Sequence, residues 1–560
     1  MRKKHLLVVA CMVASIFGAQ AQWSDSYQPR TADLAANNDI VTIDAGGNVI
    51  VAGAFTEDFS FGTTDLSPVA QSIYVVKYSA AGEKLSAIAI QGAATVTALT
   101  TDPDGNIYIA GNFADEVIFG STDNNTQTKT GIMDGDLPIE DLGACFLAKY
   151  SPAGVLLNVE AYVPEPLNIS DTEIMYDGYN NLKCIITHLE FSGNKLYASV
   201  VTTGIIENNG ITLNGTYYDI FGFMYENIQS AALISFNETL QFSKLYAKLC
   251  PPDGEEFQFN VQYPQFTKSG DIIYFAALTL GNQELTINGA KENINFNFDG
   301  ENFSEGYVIA KINATTEEKV SVQTFEATAQ EYYLQSERTL DGLFLNNDKL
   351  LLTGIFDGNL TFDKTIDVED QDVFVVSLNT NNLSQVVSAK QSERSGDEEF
   401  AASAIYDGKL NIAYNDITNY TSGIFSVSLT DAATSVAPEA TESIYINSFA
   451  SKNGKLVKVK ATTSAEDSAL STITVSAENV STGIHHPNNT KSPIRIYPNP
   501  VASTIYLSET GTIAIYNALG ILVKQAVAVN QLNVNTLPAG VYFATVKSAD
   551  TIGKVTFIKE

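Results

Sequence analysis

The amino-acid sequence predicts an all-β protein: a β-propeller, seven-bladed by the count of its turns, followed by a small C-terminal β-sandwich. Three observations predict it. A Gly/Asn/Asp turn recurs seven times along the 560-residue chain. Each turn leads into a strand that is apolar on both faces, and a second apolar strand recurs further on. Helical periodicity is nearly absent beyond the first residues.

The turns are Gly46-Gly47-Asn48-Val49, Asp104-Gly105-Asn106-Ile107, Gly193-Asn194-Lys195-Leu196, Ser269-Gly270-Asp271-Ile272, Asn347-Asp348-Lys349-Leu350, Asp407-Gly408-Lys409-Leu410 and Asn453-Gly454-Lys455-Leu456. Tight hairpins need positive φ and side chains that bond their own backbone, which Gly, Asn and Asp supply. The strand after each turn, such as Val49-Ile50-Val51-Ala52 or Ile107-Tyr108-Ile109-Ala110, lacks the polar alternation of a half-wet sheet and is expected to be covered on both sides. The second recurring strand runs through Tyr74 to Tyr78, Phe146 to Tyr150, Ala232 to Phe236, Val308 to Ile312, Phe374 to Leu378 and Phe425 to Leu429, with a weak seventh copy at Ile473 to Ser476. Most copies turn again into a last short strand, as at Ala81-Gly82-Glu83-Lys84-Leu85. Four short strands per unit with apolar inner ones suit blades stacked face to face around an axis. Trp23 to Asn38 is expected to close the ring beside the last blade. Two separate smaller β-domains are the plainer alternative.

The first two copies share Ala52-Gly53-x-Phe55 to Phe61-Gly62 and Ala110-Gly111-x-Phe113 to Phe119-Gly120, 58 residues apart. Here the chain resembles the seven-bladed β-propeller repeat family, in which Asp-x-x-Gly-Asn-Ile-Tyr-x-x-Gly recurs; copies six and seven match it poorly. The C-terminal stretch carries Tyr497-Pro498-Asn499-Pro500-Val501, Ile515-Tyr516-Asn517-Ala518-Leu519-Gly520, Leu537-Pro538-Ala539-Gly540-Val541-Tyr542 and a closing Lys554-Val555-Thr556-Phe557-Ile558-Lys559-Glu560. That ordered set resembles the C-terminal sorting domain of the Bacteroidetes type IX secretion system, with Tyr497, Pro498, Asn499, Pro500, Gly540, Tyr542, Lys554 and Lys559 as its sorting motif. The resemblance implies recognition by the type IX secretion machinery, then attachment to surface lipopolysaccharide or release.

At the N-terminus, Met1-Arg2-Lys3-Lys4-His5 precedes an apolar core from Leu6 to Phe17 and a small-x-small site, Ala19-Gln20-Ala21. This reads as a signal peptide cleaved between Ala21 and Gln22. A lipoprotein box at Val8-Val9-Ala10-Cys11 would leave only Leu6 to Ala10 as apolar core, which is too short. No other apolar run approaches the roughly 20 residues of a membrane helix. The expected layout is a signal peptide at 1–21, a propeller at 22–480, a linker at 481–491 and the sorting domain at 492–560. The expected location is secreted or on the outer-membrane surface, after Sec-dependent passage through the periplasm.

The formal charge is −32, and losing Arg2, Lys3 and Lys4 makes it more negative. Nucleic acid and anionic membranes are thereby excluded as partners, since phosphate binding rests on Lys and Arg clusters. After cleavage Cys145, Cys184 and Cys250 remain, enough for one internal disulfide at most.

Recognisable chemistry is sparse. His188 shares a strand face with Cys184 and Ile186 by the period of two, but two ligands do not make a zinc site. Asp102-Pro103-Asp104-Gly105-Asn106 mimics the start of a calcium loop, yet Ile107 occupies the glycine position, so it reads as a turn. No cofactor is called for, and calcium is an open option only. The remaining candidates are acidic loops before innermost strands: Asp253, Glu255 and Glu256, then Asp397, Glu398 and Glu399, with Asp171-Thr172-Glu173 as a third cluster. On an acidic protein such loops are ordinarily solvated; gathered on one rim they would bind calcium, a basic peptide or sugar hydroxyls. Tyr217-Tyr218 and Tyr332-Tyr333 are candidate sugar-stacking pairs. The preferred expectation is a non-enzymatic propeller that binds a glycan or protein ligand through one face. The alternative is a secreted carbohydrate-active or peptide-degrading hydrolase, for which Glu256 and Glu399 would have to share one pocket.

Overall fold

The computed structural model describes residues 23–31, 39–120, 125–134, 137–138, 143–167, 175–176, 181–220, 224–252, 260–296, 305–328, 339–361, 365–392, 398–416, 421–440, 444–462, 470–479, 496–517, 522–547 and 552–560. The expected signal peptide, the linker, Asp171 to Glu173, Asp253, Glu255, Glu256, Tyr332, Tyr333 and Asp397 lie outside them, as do the side chains of Tyr217, Tyr218 and Glu398. The chain divides into two units, residues 1–480 and 481–560.

The first unit is a seven-bladed propeller. From the axis outward, blade 1 runs Asp39–Ile43, Val49–Phe55, Ser72–Tyr78 and Lys84–Ile90. Blade 2 runs Ala94–Thr101, Ile107–Phe113, Ala144–Tyr150 and Leu156–Tyr162. Blade 3 runs Cys184–Ser192, Lys195–Thr202, Ser230–Phe236 and Phe242–Cys250. Blade 4 runs Asn260–Ser269, Ile272–Leu280, Glu305–Asn313 and Lys319–Thr328. Blade 5 runs Gly342–Asn346, Lys349–Thr361, Thr365–Asn379 and Asn382–Gln391. Blade 6 runs Glu398–Tyr406, Lys409–Asp416, Thr421–Ser428 and Thr434–Ala440. Blade 7 takes Ile444–Lys452, Lys455–Thr462 and Leu470–Asn479, and its fourth strand is the N-terminal Trp23–Thr31.

Every one of the seven turns joins a first strand to a second, and every copy of the second recurring strand is a third strand, including the weak one at Ile473. The apolar reading of both faces holds: Val49–Phe55 and Ile107–Phe113 are buried at every position. Their side chains divide between the seams on either side. Ile50 and Ala52 pack with blade 2, whereas Val49 and Val51 pack with Val457, Val459 and Val475 of blade 7. Each seam is thus a two-sheet core, and closing the ring buries both faces of every blade.

Closure is made by Trp23–Thr31, antiparallel to Leu470–Asn479, so the first described strand completes the last blade. A buried polar lock holds it. The Arg30 guanidinium donates to both carboxylate oxygens of Asp39, at 3.0 and 2.5 Å, and to the Ala54 carbonyl at 3.0 Å. Asp39 also accepts from the Tyr74 hydroxyl and from Asn447 Nδ2, the latter at 2.6 Å. One carboxylate therefore ties blade 1, blade 7 and the closing strand together.

Outer strands present an edge that could pair with other chains, and a recurring device covers several of them. Hairpins between the second and third strands of blades 1 to 4, such as Glu116–Phe119 with Gln127–Thr130, reach back over the preceding blade. Gln283–Ile287 of blade 4 pairs with the outer strand of blade 3, and the extended hairpin of blade 5 pairs through Asn359 and Leu360 with that of blade 4. Single bridges, Gln91 with Ile118 and Glu165 with Ile205, do the same for blades 1 and 2.

The second unit is one sheet in the order Ile496–Tyr497, Thr504–Tyr516, Gly540–Lys547 and Ile552–Lys559, with Leu522–Asn533 pairing the long second strand. Its core includes Val501, Ile505, Ile513, Ile515, Tyr542 and Phe557. Among the described residues no helix is long and apolar enough to cross a membrane.

Candidate functional site

The two rims of the propeller differ. One rim carries the seven tight turns, and its polar groups are consumed in holding blades together. Asp44 accepts the Asn48 backbone N–H at 2.9 Å and Asn48 Nδ2 at 2.7 Å, and Asp102 treats Asn106 in the same way at 2.8 and 2.7 Å. Gly47 and Gly105 supply the required positive φ at 80° and 81°. Asp102 is thus spent on its own turn, as the sequence reading held. Lysines then lock four of the seams: Lys77 donates to the Pro152 carbonyl at 3.3 Å, Lys311 to the Thr380 carbonyl at 2.7 Å, Lys349 to the Leu429 carbonyl at 3.0 Å, and Lys455 to the Gly47 and Ala80 carbonyls, both at 2.9 Å.

The opposite rim carries the long connections: those that lead into first strands and those between second and third strands. Glu398 and Glu399 begin the first strand of blade 6, with Glu398 opposite Asp416 in register. Asp341 directly precedes the first strand of blade 5, at the level where Asp39 begins blade 1. Asp39 has Arg30; Asp341 takes a hydrogen bond from the Thr339 hydroxyl. Burial pushes the Asp341 pKa up to about 7, with the Thr339 bond working against the rise. Glu190, at the seam of blades 3 and 4, is likewise pushed up to about 7 by burial, opposed by Lys268.

A raised carboxyl pKa means that the folded state holds a proton which the unfolded chain releases near pH 4. Stability contributed by that proton is present at low pH and lost as pH rises through 7. Asp341→Asn, which keeps an acceptor for Thr339 without the charge, should therefore raise the melting temperature by about 1–3 °C at pH 8 and by clearly less at pH 5. Calorimetry at the two pH values checks it; an equal shift at both would show that Asp341 does not titrate in this range.

His188 departs from expectation. A β-bulge between Ile186 and His188 inserts Thr187, so the alternation slips and His188 leaves the face of Cys184 and Ile186. Cys184 and Ile186 pack into the seam with blade 2, while the His188 ring meets Phe266 of blade 4 edge-on at 5.0 Å. Burial pushes its pKa down to about 4, so it is neutral at neutral pH. Cys184 is engaged elsewhere: it forms a disulfide with Cys145 across the seam of blades 2 and 3, with Cα atoms 5.4 Å apart.

Tyr217 and Tyr218 are consecutive in the strand Thr216–Ile220, and their side chains lie outside the described residues. That strand pairs with Met224–Ile228, which pairs in parallel with Met175–Tyr176, making a three-stranded sheet from the two connections that flank the first two strands of blade 3. The sequence held no signal for this assembly, because its strands come from connections more than 35 residues apart.

In the second unit the motif residues meet one another. Asn499 Oδ1 accepts the Ile558 N–H at 2.8 Å, Val501 N–H donates to the Ile558 carbonyl at 2.7 Å, and the Glu560 N–H donates to Val501 at 2.9 Å. Tyr497 stacks on Tyr506 with centroids 5.9 Å apart, and Tyr542 stacks on Phe557 while its hydroxyl donates to the Pro538 carbonyl at 2.9 Å. Gly540 opposes Lys559, and Lys554 opposes Thr545, in the last strand pair.

Comparison with known protein families agrees with the second unit. A family model for the secretion system C-terminal sorting domain matches residues 495–560. Similar solved structures include the polysaccharide lyase Uly1, at 10% identity over 80% of this chain and 91% of that one with a TM-score of 0.43. The Dos1 propeller is similar at 9% identity over 80% and 95%, TM-score 0.38, and virginiamycin B lyase from Staphylococcus aureus at 9% over 81% and 99%, TM-score 0.37. Nothing about activity follows from likeness this distant. A search of the curated proteins found no match. The chain is a seven-bladed β-propeller that ends in a type IX secretion C-terminal sorting domain, which makes it a secreted or cell-surface protein.

Proposed function

We propose that the propeller is a non-enzymatic binding module that takes a glycan or protein ligand on the rim of long connections, and that it works released or attached to surface lipopolysaccharide. The asymmetry of the rims carries this reading. One rim spends its carboxylates and lysines on turns and seams, whereas the other gathers the long connections, the acidic starts of blades 5 and 6 and the added sheet at blade 3. Binding sites are commonly borne by loops that a rigid scaffold positions.

The test is a glycan and protein array probed with the full-length secreted protein, together with product analysis on polysaccharide and peptide panels. Binding without product formation is the expected result. Turnover that is lost in Glu256→Gln or Glu399→Gln would replace this reading with the hydrolase one.

A further inference from the structure

We infer that the secretion machinery reads the sorting domain through an exposed apolar face made by Tyr516, Val541, Phe543 and Ile558. The inference rests on the family match of residues 495–560 and is independent of the ligand that the propeller takes. Strand alternation divides the sheet of the second unit into two sides. Ile515, Tyr542, Ala544 and Phe557 turn inward and are buried. Their chain neighbours turn outward: Phe543 stands opposite Tyr516 on one side of the middle strand, and Val541 stands opposite Ile558 on the other. Val541 and Phe543 are two residues apart, so the four side chains adjoin across three strands. Val541, Phe543 and Ile558 are 46, 43 and 45% exposed, and Tyr516 is half-buried.

Folding does not account for that exposure, because the wet side of a sheet ordinarily takes polar residues. The same side does so further along, where Thr545 opposes Ala514 and Lys547 opposes Thr512. A contiguous apolar surface on an exported protein marks a place where another surface docks. The residues that define the sorting family are spent within the domain instead. Lys559 and Tyr542 are buried, and Asn499 Oδ1 holds the Ile558 N–H at 2.8 Å. They set Ile558 in place, and the outward face is what remains for a receptor to touch.

A protein receptor with an apolar groove suits this face better than a lipid surface. Aromatic and aliphatic side chains at the centre of a contact are what protein partners bind most strongly. Docking on anionic lipid calls on roughly four to eight basic residues around the apolar ones. The last two strands hold Lys547, Lys554 and Lys559, and the last of these is buried.

Export of the full-length chain from a bacterium with a working type IX system tests the inference, read as the fraction of the protein outside the cell or on its surface against the fraction in the periplasm. Deleting residues 492–560 sets the value without the signal, whichever face is read. Phe543→Lys and Val541→Lys should each lower the exported fraction about tenfold, the effect of losing one central apolar contact. Phe543→Tyr and Val527→Lys should match the parent. Val527 is 70% exposed but lies near the residues that pair with Gly511 and Ile513, at the far end of the sheet from Val541. Limited proteolysis separates lost recognition from lost folding: retained Phe543→Lys should resist cleavage as the parent does, whereas the core variant Phe557→Ala should be both retained and cleaved. Normal export of Phe543→Lys and Val541→Lys overturns the inference, as does equal retention of Val527→Lys or ready cleavage of retained Phe543→Lys. A parent dimer that Phe543→Lys dissociates would give the face to a second copy, and tighter binding of Phe543→Lys than of the parent to phosphatidylglycerol vesicles would give it to lipid; either overturns the receptor reading.

Discussion

Replacing Arg30 with leucine should open the ring at its closing seam. The substitution leaves the Asp39 carboxylate buried with Tyr74 and Asn447 as donors but without its cation. Removing one partner of a buried ion pair costs about 3–5 kcal/mol, because the remaining charge is stranded in a medium that solvates it poorly. The place of the loss decides how to see it. At about 2.1 cal/mol/K of unfolding entropy per residue, a propeller of this size melting as one unit would shift by only about 4 °C. Local opening of the Trp23–Thr31 strand would instead rise roughly 100- to 3,000-fold, and hydrogen exchange reads that directly. The amides of 23–31 and 470–479 should lose protection while those of blades 3 and 4 keep theirs. Trp23 offers a second readout: it is the sole tryptophan and packs against Tyr78 of blade 1, the rings tilted by 34° with centroids 4.9 Å apart, so its emission should shift to the red as the strand detaches. The double variant Arg30→Leu, Asp39→Asn removes both charges and should recover much of the protection. Uniform exchange across all blades in Arg30→Leu would mean that the lock is not local to the seam.

The same lock shows why parts of this fold were legible in the sequence and parts were not. Turn chemistry is local: an Asp-Gly-Asn run states its own conformation, so all seven turns and the strands around them could be found by eye, and the closing role of the first strand followed from the blade that lacked one. Partners across a seam are not local. Nothing near Arg30 names Asp39, Tyr74 and Asn447, and nothing in the spacing of three cysteines chooses Cys145 and Cys184. Bulges are the hardest case, because one inserted residue leaves no compositional trace yet turns every later side chain to the other face. That is what moved His188 from the face of Cys184 to a contact with Phe266. The Phe61-Gly62 and Phe119-Gly120 repeats were visible, but the edge that each hairpin covers belongs to the preceding blade. At the candidate site, the sequence could say which loops start innermost strands. It could not foresee that Met224–Ile228 would pair with Met175–Tyr176, because that pairing brings in a strand from a distant connection.

The Cys145–Cys184 disulfide carries the second large expected effect, at a seam the Arg30 lock does not touch. It joins the third strand of blade 2 to the first strand of blade 3 across 39 residues of sequence. Closing a loop of that length removes denatured-state entropy worth about 4 kcal/mol, comparable with the ion pair but exerted on the unfolded chain. Export outside the cell places the two thiols where such a bond persists. The double variant Cys145→Ser, Cys184→Ser should therefore melt about 4 °C lower than the parent in the absence of reductant. Dithiothreitol should lower the parent toward the variant and leave the variant unmoved. Using both substitutions together avoids stranding one reactive thiol beside the buried Cys250 and scrambling the result. Thiol titration of the denatured, unreduced parent gives an independent count: one reactive thiol if the bond forms and three if it does not, given loss of Cys11 with the signal segment. Three thiols, or a parent that melts identically with and without reductant, would remove the disulfide from the account of stability and leave the seam of blades 2 and 3 to the hydrogen bonds that Asn112 donates to the Ala144 and Cys184 carbonyls.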